Sequence, residues 1–356
     1  MPVPGHVVIA MSGGVDSSVA AALLVQQGYQ VTGMMLRLWN EPGSETDNRC
    51  CTPDAMAMAR RVAARLNIPF YAVDAREIFR QTVVEAFING YTQTITPNPC
   101  LICNQHIRWG FLLQRALAMG VDFLATGHYA RSRQDENGNW QLLRAVDENK
   151  DQSYVLHVLQ QDQLAHTLFP LGDYTKPQVR QLARQFNLPV AERPESQDLC
   201  FLGNHDYRQF LTRHSAGVQN PGPIFNQSGE KIGEHLGLAF YTIGQRKGIR
   251  IASPSPLYVL EKDASRNALI VGALEDLGQS ELVAHQVNWI SGEVPEQPFT
   301  ASIKIRYKAQ EITAMVTPQT DQKVHVKFNI KLRDITPGQA VVFYDDQICL
   351  GGGIIQ

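Results

Sequence analysis

The stretch VVIAMSGGVDSSVAAALL, residues 7–24, passes from an apolar run through two glycines into an apolar helical pattern. A buried strand, a glycine turn and a helix N-terminus in that order form an anion site. Backbone N–H groups converge there and the helix dipole favours negative charge. Gly13 and Gly14 let the backbone approach a phosphate closely, and Ser12, Ser17 and Ser18 add hydroxyl donors. Asp16 is out of place in a phosphate cradle unless it holds a divalent metal, so magnesium on Asp16 is the expectation. A Ser-capped tight turn with no ligand is the plain alternative. The turn lacks Gly-Lys-Ser/Thr and G-x-G-x-x-G, which sets aside P-loop NTPases and dinucleotide binding.

Working outward, strands and helices alternate. HVVIAM (6–11) reads as a strand, SSVAAALLVQQG (17–28) as a helix and YQVTGMMLRLW (29–39) as a strand. TPDAMAMARRVAARLN (52–67) is a helix with Thr52 as N-cap and Pro53 at its first position. IPFYAVDA (68–75) is a third strand, a helix follows over 76–91, and IRWGFLLQRALAMG (107–120) and VDFLATGHYA (121–130) add a helix and a strand. That alternation predicts a doubly wound parallel sheet, with ligands at the carboxyl ends of its strands. Beyond residue 205 Gly and Pro become frequent, and NPGPIFNQSGEKIGEHLG (220–237) reads as a hairpin turning at Gln227–Gly229. From 280 the period is two. In SIKIRYK (302–308), Ile303, Ile305 and Tyr307 take one face and Lys304, Arg306 and Lys308 the other; KVHVKF (323–328) puts Val324, Val326 and Phe328 inside. The expectation is an α/β domain over 1–205, a small α+β/β linker domain over 206–279 and a C-terminal β-barrel over 280–356.

The chain has 356 residues and a net charge of −2, so nucleic-acid binding would depend on local basic patches such as Arg246, Lys247 and Arg250. No apolar run approaches the ~20 residues that span a bilayer. No secretory leader pattern is visible, and the cytoplasm is the expected location. Six cysteines are too few for a disulfide scaffold. NPCLICNQH (98–106) places Cys100 and Cys103 in C-x-x-C with His106 beyond, and SQDLCF (196–201) adds Cys200. Three readings stay open: a zinc site completed by Cys50, Cys51 or Cys200, small buried hydrophobes, or a redox or sulfur-carrying pair. Cys103 is placed just before the helix expected near Ile107, where a thiol's pKa falls. Cys50 and Cys51 lie in a polar loop with no assigned role.

SGGVDSS after a buried strand resembles the signature of the PP-loop ATP pyrophosphatases, whose fold is adenine nucleotide α-hydrolase-like. The combination of MSGGVDSSVAA, NPCLICN, ATGHYAR, KDQSYVL, FPLGDYTK, SQDLCFL, YTIGQRKG, KIRY and GQAVVFYD, spread over the whole chain, resembles the tRNA-specific 2-thiouridylases (the MnmA family). The resemblance implies that Ala10, Met11, Ser12, Gly13, Gly14, Val15, Asp16, Ser17, Met35 and Gly127 hold ATP. It implies that a sulfur carrier protein loads a persulfide on Cys200. ATP with Mg²⁺ adenylates the 2-carbonyl of a wobble uridine, and sulfur displaces AMP. Cys103 is the partner thiol, ending in a Cys103–Cys200 disulfide. Asn98, Pro99, Cys100, His128, Lys150, Asp151, Gln152, Arg306, Tyr307 and Gln339 are implied to contact tRNA. Many members carry Asp where Cys100 stands. Three cysteines, Cys100, Cys103 and Cys200, are also what a [4Fe–4S] cluster with an open site would use, which is the alternative mechanism. Another PP-loop adenylating synthetase, or a non-catalytic RNA-binding module, are the competing readings.

Overall fold

In the computed structural model, residues 5–41, 52–194, 199–203 and 206–356 are described; Cys50 and Cys51 lie outside them. Five parallel strands form the first sheet, in the order β3-β2-β1-β4-β7: β1 His6–Ala10, β2 Gln30–Arg37, β3 Phe70–Asp74, β4 Phe123–Ala125 and β7 Thr167–Leu168. Val7, Val8 and Ile9 are each 0% exposed, as a central parallel strand covered on both faces requires. Val7 and Ile9 face a core completed by the helices Val15–Gln26, Pro53–Arg65 and Lys176–Gln185. Val8 faces a second core containing Trp109, Leu112, Leu142 and Tyr154.

Thr52 caps the helix Pro53–Arg65, its Oγ accepting the Ala55 N–H at 3.0 Å. The expected helix near Ile107 starts earlier. Asn98 caps it, Pro99 is its first residue, and helical turns run over 99–118 with a widened stretch at Cys103–Leu112. Cys103 is therefore inside the helix rather than ahead of it. Asn98-Pro99 carries the same cap-then-proline signal as Thr52-Pro53.

Four strands make the middle sheet, order β10-β11-β8-β9: β8 Gly222–Phe225, β9 Lys231–His235, β10 Tyr258–Asp263 and β11 Ala268–Gly272. β8 and β9 form the expected hairpin. The helix Tyr207–His214 packs beside them through Phe210 and Leu211, both 0% exposed.

The C-terminal sheet closes on itself. Strands β12 Gln279–Trp289, β13 Phe299–Lys304, β14 Ile312–Gln319, β15 Lys323–Leu332, β16 Ala340–Asp345 and β17 Ile348–Ile355 run in the order β12-β15-β14-β13-β16-β17, and β17 pairs back to β12. Two strands from the first half, β5 Arg131–Gln134 and β6 Trp140–Leu143, extend this sheet through β6–β17. Val324, Val326 and Phe328 point inward as expected. The alternation in SIKIRYK holds for Ile303 and Ile305, both buried, but not beyond, because β13 ends at Lys304. Lys304 is buried, and Tyr307, expected inside, is 37% exposed. Among the described residues no helix is long and apolar enough to cross a membrane.

Candidate active site

β1 delivers the chain into the glycine turn, and Gly13 takes φ +73°. A Cβ on Gly13 would stand 2.4 Å from the Ala55 carbonyl oxygen, so the turn lies against the start of the helix Pro53–Arg65. The helix Val15–Gln26 starts from Gly14 with no side-chain cap. Its first-turn N–H groups are the sort that take an anion. Ser17 Oγ accepts the Ser12 N–H at 3.1 Å, and Ser18 Oγ donates to the Gly14 carbonyl at 2.8 Å. These hydroxyls fix the turn's shape. Gly127 follows β4, and a Cβ there would lie 2.7 Å from Ser17 N, so glycine alone allows the strand end to meet the helix start. Met35 lies in the core at 1% exposure, beneath the site.

Asp16 departs from the expected metal ligand. Both its carboxylate oxygens accept from Lys176 Nζ, at 2.7 and 2.8 Å, and Oδ1 also accepts the Tyr129 hydroxyl at 2.8 Å. A single carboxylate already paired with an ammonium does not fit direct magnesium ligation, for which unpaired oxygens are needed. Lys176 is 8% exposed, at the first position of its helix. On the other side Arg193 donates to the Gly13 carbonyl at 3.3 Å and pairs with Asp54 at 2.9 Å. Sequence reasoning missed both cations; for Lys176 the cap-like Thr175-Lys176-Pro177 was the available signal.

His128 is 6% exposed, with Nδ1 2.8 Å from Thr126 Oγ1 and Nε2 2.7 Å from Arg108 Nη1. A guanidinium only donates, so Nε2 accepts and Nδ1 carries the proton. Burial, and then the Arg108 charge, hold the imidazole's pKa well below its ordinary value, so it is neutral.

Asn98 Oδ1 accepts the Cys100 N–H at 3.2 Å, and Cys100 is exposed at the helix start. Cys103 and Cys200 are each half-buried and pack against one core cluster holding Phe79, Phe87, Phe201 and Phe210. Two thiols far apart in sequence are thus brought to one region. Cys349 is fully buried in the barrel and its thiol pKa is pushed up by burial, the profile of an inert cysteine. Among the described residues no group of three or more His, Cys, Asp or Glu is placed to hold a metal ion, so the shared cluster and the zinc site gain no support there.

The residues expected to touch RNA divide. Lys150 is half-exposed, Arg306 pairs with Asp334 at 3.4 Å, and Tyr307 lies on the surface 6.5 Å from the Tyr154 ring. Asp151 is instead buried at 3%, accepting N–H bonds from Ala145 and Ser153 and the Ser153 hydroxyl. Gln152 exchanges two hydrogen bonds with the Tyr129 backbone, at 3.0 and 2.8 Å. Gln339 Nε2 donates to the Thr96 carbonyl at 2.9 Å, while Thr96 N–H donates to Pro337 at 2.9 Å. The barrel therefore grips the segment that leads into Asn98.

Residues 5–204 match the family profile described as tRNA methyl transferase HUP domain, 208–273 the tRNA methyl transferase PRC-barrel domain, and 279–355 the aminomethyltransferase beta-barrel domain. The chain is similar to the tRNA-specific 2-thiouridylase MnmA of Magnetococcus marinus, 48% identical over 357 residues and 100% of both chains. It is 47% identical to the protein of that name from Roseiflexus castenholzii over 98% of each chain. The Natranaerobius thermophilus protein of that name is 46% identical, over 100% of this chain and 98% of its own.

Proposed function

The chain belongs to the tRNA-specific 2-thiouridylase family, and on that premise we propose that it makes 2-thiouridine in tRNA at the expense of ATP. The profile's description speaks of methyl transfer, but a methyl group carried on a sulfonium needs no pyrophosphate cradle. The observation that carries the reading is the union of that cradle with Cys103 and Cys200 on one core cluster.

A uridine C2 carbonyl is a poor electrophile, because its oxygen is a poor leaving group. Transfer of AMP from ATP to that oxygen, with pyrophosphate leaving, makes it a good one. The N–H groups from Gly13 to Ser17 take the pyrophosphate, while Lys176, paired with Asp16, and Arg193, paired with Asp54, hold the turn from either side. Among the described residues the turn offers no carboxylate set for magnesium, so any Mg²⁺ would be held by the nucleotide's own phosphates.

A donor protein loads sulfur on Cys200 as a persulfide. The Cys103 thiolate attacks Cys200 Sγ, forming the Cys103–Cys200 disulfide and expelling hydrosulfide. Hydrosulfide adds to the activated C2, and collapse expels AMP to leave C2=S. An external dithiol then reduces the disulfide, closing the electron balance. His128, neutral and locked by Thr126 and Arg108, forms a fixed wall beside the extruded base, next to Asn98 and Cys100. Lys150, Arg306 and Tyr307 contact the RNA, while Asp151, Gln152 and Gln339 hold the contacting segments in place. The chemistry and the contacts to the extruded base sit in 1–205, further RNA contacts in 280–356, and 206–279 links them.

The test is stoichiometry. Purified protein with ATP, Mg²⁺, a persulfide donor and unmodified tRNA is expected to give one AMP per thiolated uridine, and little AMP without tRNA. AMP formed on another acceptor, with no thiolation, would move the chain to a different adenylating activity.

A further inference from the structure

A cleft of about 550 Å³ lies in the middle region, lined wholly by residues between 206 and 250. Nothing in the thiolation chemistry uses it. Its floor follows from the helix Tyr207–His214. Phe210 and Leu211 are turned into the core, which throws Arg208 and Thr212, four residues apart, onto the opposite face. The loop through Gly248 folds back over them at φ +86° and brings Arg250 to the rim. A Cβ on Gly248 would lie 3.6 Å from Arg208 Nη2, so the guanidinium lies beside bare backbone.

The charges in the cleft are not balanced. Arg213 is neutralised by Glu41, through contacts of 2.7 and 2.7 Å. Asp206 caps the helix, accepting the Arg208 N–H at 2.8 Å, and its carboxylate offsets part of the Arg208 charge, which leaves Arg250 as the surplus cation. Among the described residues neither Arg208 nor Arg250 forms a close ion pair; the Arg208 guanidinium bonds Tyr207, and its buried Nε has no acceptor. A buried donor gains from an acceptor, so an acceptor from outside the chain is favoured. Arg246 and Lys247 stand exposed on the same loop. A guanidinium fork with hydroxyl and amide neighbours matches phosphate oxygens, and one exposed apolar wall, Leu236, suits a ribose or base face.

We propose that this cleft binds a backbone phosphate of the tRNA, as an anchor separate from the glycine turn. This rests on tRNA being the substrate. The cleft lies on the reverse of the helix whose Phe210 ring stands 5.6 Å from Phe201, the neighbour of Cys200. RNA held there is tethered beside the sulfur-bearing segment.

The test compares wild type with Arg208→Gln, Arg250→Gln and the double variant. Unmodified tRNA is titrated over a range of NaCl, and inorganic phosphate is the small-anion probe. Each substitution is expected to make the slope of log affinity against log salt shallower by about one and to weaken binding about threefold to tenfold at low salt. Melting temperature and ATP affinity without RNA are expected to match wild type, which separates lost contact from lost fold. Unchanged tRNA affinity and slope in the double variant, in a wild type that does bind tRNA, overturns the proposal. So does a phosphate-induced thermal shift lost in the variants while tRNA binding stays whole, since the ligand is then a small anion. Slower persulfide loading from a donor protein with unchanged RNA binding assigns the cleft to a protein and overturns it as well. A wild type that neither binds nor thiolates tRNA defeats the functional reading itself.

Discussion

At the scale of single residues, Asp16 shows how burial reassigns a role. In sequence it is the acid of a phosphate turn; in the fold it is the partner of Lys176, with a side chain 33% exposed against 10% for the lysine. Removing the lysine leaves a carboxylate that is only partly hydrated. Lys176→Met is expected to cost about 2 kcal/mol in urea unfolding, below the figure for a fully buried pair because Asp16 meets solvent. A cost under about 0.5 kcal/mol would show the pair to be incidental. His157 supplies a pH dependence. Burial lowers its pKa from 6.5 to about 4, against a raising hydrogen bond to the Tyr154 carbonyl. An unfolded chain takes up this proton below about 6.5, the folded chain only near 4. The stabilising contribution is full above 6.5 and is lost as pH falls toward 4, by about 3 kcal/mol in all. His128 acts in the same direction. His157→Gln is expected to flatten the stability profile over that window; an unaltered slope would mean that His157 is not the titrating group.

At the scale of elements, the turn's geometry depends on the absence of a side chain at Gly13. Gly13→Ala must avoid the Ala55 carbonyl at 2.4 Å and hold φ +73°, so the turn has to move. ATP affinity is expected to fall at least tenfold while far-UV circular dichroism is retained; calorimetry giving wild-type affinity would remove the turn from the nucleotide site. Much of this level was legible in the chain. Continuous apolar runs marked the central strands, and Thr52-Pro53 marked a helix start that the structure reproduces. The same signal stands at Asn98-Pro99, but the C-x-x-C obscures it, and a helix start near Ile107 sets Cys103 outside its helix. The alternation in SIKIRYK was carried past Lys304, where β13 ends, and this put Tyr307 on the wrong face. The partners of Asp16, Asp151 and Gln339 come from remote segments, and no local pattern could have named them.

At the scale of the whole molecule, the barrel is part of the α/β core. Val342, Tyr344 and Cys349 share one buried cluster with Trp109, Leu142 and Tyr154, and β6 adds directly to β17. Arg144 stacks 3.6 Å from the Tyr344 ring and pairs with Glu311. The nucleotide sheet and barrel are therefore expected to unfold in one transition. Two separated transitions, in tryptophan fluorescence and hydrogen exchange of β14 and β15, would show independent domains. Through Gln339 and Thr96 this union reaches the segment before Asn98. On the proposed RNA grip, RNA at the barrel would be linked through this contact to the helix bearing Cys100 and Cys103.

The central claim, sulfur transfer from a Cys200 persulfide with Cys103 as partner, is tested most directly in a single turnover. Wild type, Cys103→Ser and Cys200→Ser are each loaded from a persulfide donor, mixed with ATP and unmodified tRNA, and followed by mercury-gel retardation and by mass spectrometry of the intact protein. The account predicts thiolated tRNA and a Cys103–Cys200 disulfide in wild type. It predicts a persulfide stranded on Cys200 in Cys103→Ser, and neither persulfide nor thiolation in Cys200→Ser. Wild-type levels of thiolation from the same donor in either variant would contradict it.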